Sequence, residues 1–541
     1  MSEIRVFRAK KVITMERVQP IATHVAVRDG RILAVGDADC AAPWGAHETD
    51  DSLADAILTP GFVEGHAHLM AGAMWQHVYV GFHDRIDPDG KMWQGLTNAD
   101  EVIARLRQAM SDLPPDAPLF GWGFDPIFLT SERLSRKHLD QVSPDRPVAI
   151  LFSNFHLMCV NSAALALAGF TADTPVEGVV KCAGGLPTGE LQEMAAMFPV
   201  LRRIGIDFRT LSQSTEAILN YAKVAQRAGV TTITDLYSML QDQDLDLMLD
   251  LTSREDYPLR IVPAVGASGP PSQVAERALA LRARSTEKLR LGAVKLMTDG
   301  AIQGWTARMR WPGYVGGQPN GIWNTAPDEI RALADEMQRR GVQMHIHVNG
   351  DEAAAVSLDA LAAAARKHPW PGARHVLQHC QMMDRALYAR AAELGVACNI
   401  FANHIWYFGD QHCAYTIGPD RAARMDATRT ALDEGVLAAI HSDAPVTPLG
   451  PLFTAWCAVN RTTMSGKVLG AAECIDVSEA LELITLGAAR TLKLDTEIGS
   501  IAPGKRADFA ILGSDPTTCE PVDLKDVPVL GTVFGGRVYP I

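Results

Sequence analysis

Two histidines two residues apart, His66 and His68, close the segment Gly61-Phe62-Val63-Glu64-Gly65-His66-Ala67-His68. In extended backbone that spacing puts both imidazoles on one face. Two neutral imidazoles facing one space suit zinc or a similar divalent ion. Three more apolar runs also end in histidine, as Met344-His345-Ile346-His347, Gln378-His379-Cys380 and His441-Ser442-Asp443-Ala444-Pro445. Histidine is scarce, 16 among 541 residues, so its return at four such ends, with an aspartate at the last, points to one shared metal centre. A divalent ion lowers the pKa of water to about 7. The expected chemistry is therefore hydrolysis at a polarised carbonyl.

The elements that must position these residues can be read from the same pattern. Apolar, β-branched runs fall at 57–66, 230–235, 260–265, 290–296, 342–347, 375–379, 396–401 and 436–441, each followed by a helical stretch. Near-continuous apolar strands alternating with helices mark parallel βα units. Eight of them fit a closed (β/α)8 barrel of the TIM type, with an open doubly wound sheet as the alternative. In a barrel the C-terminal strand ends surround the active-site mouth, which is where the histidines fall.

The barrel is assigned to 59–489. The gap after its first strand is too long for one βα unit, and 77–215 is read as an inserted lid subdomain over the mouth. Residues 1–58 and 490–541 are β-rich. Asp29-Gly30 and Gly535-Gly536 each separate two short strand-like runs, a hairpin signal. The two ends are expected to form a small β-sandwich domain together.

Composition narrows the partners. The net charge of -13 disfavours nucleic acid or an anionic membrane, and no basic block with interleaved aromatics is present. No apolar run approaches the ~18 residues of a membrane span, and none near the N-terminus suits a signal peptide. Nine cysteines without a CxxC pair suit a reducing, cytoplasmic setting. There is no Gly-x-Ser-x-Gly elbow and no dinucleotide-binding glycine motif.

The chain resembles the amidohydrolase superfamily, in the family 3 branch that includes YtcJ-like proteins and N-substituted formamide deformylases. The resemblance is carried by Thr59 to His68, Val294-Lys295-Leu296-Met297-Thr298-Asp299-Gly300, His347-Val348-Asn349-Gly350-Asp351, Ser442-Asp443-Ala444-Pro445 and Ile498 to Asp508, with His156 to Leu165 in the insert. It implies that His66 and His68 hold one ion. His347 and His379 would hold a second or share the first. Lys295 would be a ligand as its carbamate, since a free ammonium is a donor only. An ion pair of Lys295 with Asp299 is the simpler alternative. Asp443 would touch the metal and act as general acid/base.

The implied activity is hydrolysis of a C–N bond in an amide, formamide or N-acyl small molecule, with one or two divalent ions, zinc foremost, in a homodimer. An ester, lactone or carbamate could be attacked by the same site. A non-catalytic scaffold would be expected to have lost ligands, and every expected position is filled.

Other residues stay open between roles. His156 and His404 could contact substrate or be structural. Trp305, Trp311, Trp406, Tyr407 and Phe408 could line an apolar pocket or fill a core. His345, His375 and His441 share strand faces with the ligands and are expected to support them from behind or fill the barrel. The stretches Ala301 to Ala307 and Asn399 to His404 depart from the commoner family text, so a named relative's substrate does not transfer.

Overall fold

The structure, a computed structural model, describes residues 3–129, 133–207, 212 and 214–541. Its centre is a sheet of eight parallel strands, each hydrogen-bonded to the next in sequence. We number them β1 (Phe62–Glu64), β2 (Val230–Ser238), β3 (Arg260–Gly266), β4 (Ala293–Met297), β5 (Met344–Val348), β6 (Val376–His379), β7 (Ala397–Ile400) and β8 (Ala438–Ile440). The sheet curls until its two edges meet. Ala67 and Ala444 form an isolated parallel bridge, and the Ser442 hydroxyl donates to the Glu64 carboxyl at 2.9 Å. This is an α/β fold of the TIM-barrel type.

Strand alternation sorts the side chains. Val294, Ile346, Leu377, Ile400 and Ile440 belong to the large apolar core that includes the surrounding helices. Their neighbours Lys295, His345, His347, Gln378, Asn399 and His441 are buried polar residues of the barrel interior. One sequence period of two thus separates a hydrophobic shell from a polar lumen. Val63, Val262 and Ala439 pack on Ala488, Ala489 and Leu492, which form the barrel's floor.

The run expected as one strand over 57–66 is two. Ile57–Pro60 pairs with Lys11 and Val12 on one side and with Phe509–Leu512 on the other, in a sheet built from both ends of the chain. Only Phe62–Glu64 joins the barrel. Gly61 makes the handover possible, because a Cβ there would lie 2.1 Å from the Thr231 hydroxyl oxygen. The Arg260–Asp508 ion pair, 2.8 Å long and buried on both sides, ties β3 to the terminal sheet. Both expected hairpins are present, and Asp29 and Gly30 have φ of 52° and 71°, as a type I′ turn requires.

Between β1 and β2 the chain builds a separate six-stranded sheet, spanning Val78–Tyr79 to Pro187–Gln192, with its own apolar clusters. Asn161 caps the helix Ser162–Ala168 there by accepting from the Ala164 amide. No helix among the described residues is long and apolar enough to cross a membrane.

Candidate metal centre

His66 stands just past β1, fully enclosed. Its Nδ1 bonds the Gln378 side-chain oxygen at 2.8 Å. That oxygen also accepts from Asn399 at 3.0 Å, while the Gln378 amide nitrogen donates to His345 Nδ1 at 2.8 Å. Gln378 is thereby fixed as an acceptor toward His66, the imidazole proton sits on Nδ1, and Nε2 keeps the lone pair a ligand needs, 3.3 Å from Lys295 Nζ. His68, partly exposed, brings its Nε2 to 3.2 Å from Asp443 Oδ1, which lies 3.3 Å from His66 Nε2. Neither contact has hydrogen-bond geometry, and Asp443 Oδ1 has no partner.

Two trios of ligand atoms come within 4.8 Å of one another: His66, His68 and Asp443, and His66, His379 and His441. His66 is common to both. His441, expected to support the site from behind, thus stands among the candidate ligands, and both its ring nitrogens lack a hydrogen-bond partner. His347 falls outside both trios among the described residues. Its ring lies 4.5 Å from that of His379. Its Nε2 meets the Gly300 carbonyl at 3.2 Å and lies 3.1 Å from the Asn349 amide nitrogen.

Simple parity fails at two of these positions. Gln378 faces the lumen, so an extended His379 would face the helices. Instead His379 has φ of 74°, and this turn out of the strand swings its imidazole into the mouth. Asp443, φ 54°, is displaced from regular strand geometry in the same way. His375 therefore does not share the face of His379. It bonds Gln338 of the helix Pro327–Arg340 through Nε2 at 2.8 Å and accepts from the Met344 amide.

Lys295 is completely buried, with Nζ 3.3 Å from His66 Nε2. Burial pushes its pKa down to about 7, against the opposing pull of Asp443. The ion pair with Asp299 does not form. Asp299 accepts instead from the backbone amides of Arg308, Asn349 and Gly350 at 3.0, 3.1 and 2.9 Å, fastening the loops after β4 and β5. Burial, then Lys295, hold His66 far below the usual imidazole range. Burial, then neighbouring imidazoles, do the same for His379. Burial alone would raise the Asp443 carboxyl, but His68, His441 and Lys295 outweigh it and hold the group below its usual value.

The donor set thus combines imidazoles, of which burial holds His66, His379 and His441 neutral, with the ionised carboxylate of Asp443. His379 Nδ1, both nitrogens of His441 and Asp443 Oδ1 are buried without partners. Such atoms are costly unless something pairs them. A divalent cation fits this set, and nitrogen with oxygen donors suits zinc.

The insert closes over these ligands. His156 is buried, its Nδ1 2.8 Å from Glu193 and its ring 5.3 Å from that of His347. Burial disfavours its charged form, but Glu193 outweighs this and raises its pKa. His404 lines the remaining cavity and bonds His412 at 3.2 Å. Trp305 packs instead with Tyr407 and Phe408, beneath the Arg133 guanidinium. The cavity holds about 20 Å³, room for one water molecule. Any larger ligand requires the side chains that line this cavity to move.

The sequence model of the Amidohydrolase family, in its third subdivision, matches residues 52–540. The chain belongs to the amidohydrolase family. Among relatives of this amidohydrolase, YtcJ of Bacillus subtilis is 29% identical over 95% of both chains. The N-substituted formamide deformylase of Arthrobacter pascens is 26% identical, over 99% of this chain and 98% of its own. A solved structure, an uncharacterized metal-dependent hydrolase from Pyrococcus horikoshii, shares the fold with a TM-score of 0.71 at 21% identity, over 96% of this chain and 99% of its own.

Gln378, Asn399 and Glu193 were not signalled in the sequence as parts of this amidohydrolase's site. Nothing in a strand's own pattern distinguishes a glutamine that orients a ligand from one that fills space. For Gln378 the role has a measurable consequence. A Gln378→Leu variant leaves His66 Nδ1 without its acceptor and should weaken zinc binding by roughly 10–100-fold in a chelator competition. Unchanged zinc affinity would show that Gln378 only fills the lumen.

Proposed function

We propose that this amidohydrolase cleaves a C–N bond of a small molecule, an amide, formamide or N-acyl compound, at a centre of one or two divalent ions, zinc foremost. The observation that carries this reading is the convergence of ligand atoms from His66, His68, His379, His441 and Asp443, with His379 Nδ1, both His441 nitrogens and Asp443 Oδ1 buried without a hydrogen-bond partner. The deformylase among the relatives, whose name describes C–N cleavage, supports the choice of bond.

A bound divalent ion would polarise the substrate carbonyl and acidify water at neutral pH. His66, its tautomer fixed by Gln378, and His68 would hold it, with Asp443 between them. His379 and His441, with His347 and the carbamate of Lys295, would complete the set. Asp443 would take the proton of the attacking water through a carboxylate oxygen and return it to the leaving nitrogen. An unprotonated Lys295 amine is the form that carbon dioxide can add to, and a pKa of about 7 makes that form plentiful near neutrality. The closed insert keeps bulk water from the charges that develop.

Metal removal tests the reading. Dialysis against a chelator should abolish hydrolysis across a panel of N-formyl and N-acyl compounds, and zinc should restore it. Metal analysis should find about one or two divalent ions per chain. A metal-free chain with full activity would overturn the proposal.

A further inference from the structure

A second group of atoms in the cavity is as unpaired as the ligands but different in kind. Asn154, Gln303 and Asn349 line the cavity beside His347, His379 and Asp443. They are only 3%, 2% and 6% exposed, yet Asn154 Nδ2, Gln303 Oε1 and Asn349 Oδ1 have no hydrogen-bond partner.

Two of the three amides cannot turn over. Asn154 Oδ1 accepts from the His156 backbone amide at 2.9 Å, so Nδ2 remains as a donor. Asn349 Nδ2 donates to the Gly300 carbonyl at 2.8 Å, so Oδ1 remains as an acceptor. Gln303 Oε1 adds a second acceptor. The loops are held as well: the Gly304 position, next to Gln303, is hemmed in by Leu157 and Asn154, and Asp299 anchors the Asn349 amide. The wall thus presents a fixed donor at Asn154 and a fixed acceptor at Asn349, with the buried, unpaired Gln303 Oε1 as a second acceptor.

We propose that these side chains read an N–H group of the substrate, restricting it to primary and N-monosubstituted amides. This rests on the hydrolase reading above and narrows it. A monosubstituted amide offers an N–H to Gln303 or Asn349 and a carbonyl oxygen to Asn154. An ester, a lactone or an N,N-disubstituted amide offers acceptors only and leaves both buried acceptors unpaired. Sites built to pair a substrate N–H discriminate strongly against analogues that lack it.

The test is calorimetric titration, in the cold to slow turnover, of the zinc-loaded protein with N-benzylacetamide, N-benzyl-N-methylacetamide and benzyl acetate. The three probes share a benzyl group and differ only at the atom under test. N-benzylacetamide should bind at least about tenfold more tightly than either analogue, one net hydrogen bond's worth. Gln303→Leu should shrink that preference severalfold, and Gln303→Glu, which keeps an acceptor, should retain it. Equal binding of the three probes to the wild-type protein, or binding of none, would overturn the inference. So would a preference that Gln303→Leu leaves untouched. Chelator-sensitive hydrolysis is scored separately. A zinc enzyme that prefers the ester sinks this inference and leaves the hydrolase standing. An active metal-free chain that still prefers the N–H amide does the reverse.

Discussion

An Asp443→Asn variant loses turnover by about 10²–10⁴-fold while its melting curve stays close to that of the parent. The loss follows from chemistry. An amide oxygen cannot take a proton from water at neutral pH, and the amide carries no charge to balance a cation. The fold survives for two reasons. Asparagine accepts a φ of 54° about as readily as aspartate. And the structural hydrogen bond at this position, from the Val446 amide, goes to the Asp443 backbone carbonyl at 2.7 Å and is kept. The measurements are kcat/KM, circular dichroism and metal content. Activity near the parent's would remove Asp443 as the base.

Lys295→Met separates the two readings of the buried lysine. Methionine matches its volume and carries no charge, so the fully enclosed position stays packed. If the carbamate is a ligand, the variant loses more activity than the roughly 10–100-fold expected for an outer-sphere partner, and binds less metal. Intact-protein mass spectrometry under non-denaturing conditions should find the mass of one carbon dioxide on the parent and none on the variant. Lys295→Glu returns a carboxylate and should recover part of the metal. A Met variant with ordinary activity and metal content would leave Lys295 as a lumen residue only.

Much of this architecture could be read from the residues themselves. The hydrophobic shell and polar lumen follow from strict alternation, as Val294, Lys295 and Leu296 show, and alternation is a local property. His66, His68 and Asp443 were visible because they follow apolar strands. Two kinds of feature were not visible. One is backbone that leaves the regular pattern: Gly61 splits the first expected strand, and the left-handed turn at His379 reverses the face that parity assigns. The other is pairing between distant segments. His66 with Gln378 and His156 with Glu193 carry no periodic trace in either partner. For the same reason the aromatic residues expected around the substrate proved mostly to pack on one another, while Asn154 and Gln303 line the cavity.

The strand Ile57–Pro60 has a consequence for how the molecule is made. It pairs with the N-terminal strand on one edge and with Phe509–Leu512 on the other. During synthesis the second edge waits for nearly the whole barrel to emerge, on the order of tens of seconds at ordinary elongation rates. An unfilled edge is a template for pairing with other chains. The nascent protein therefore carries this open edge from early in translation until Phe509–Leu512 arrives, and a chain truncated before that strand would keep it exposed.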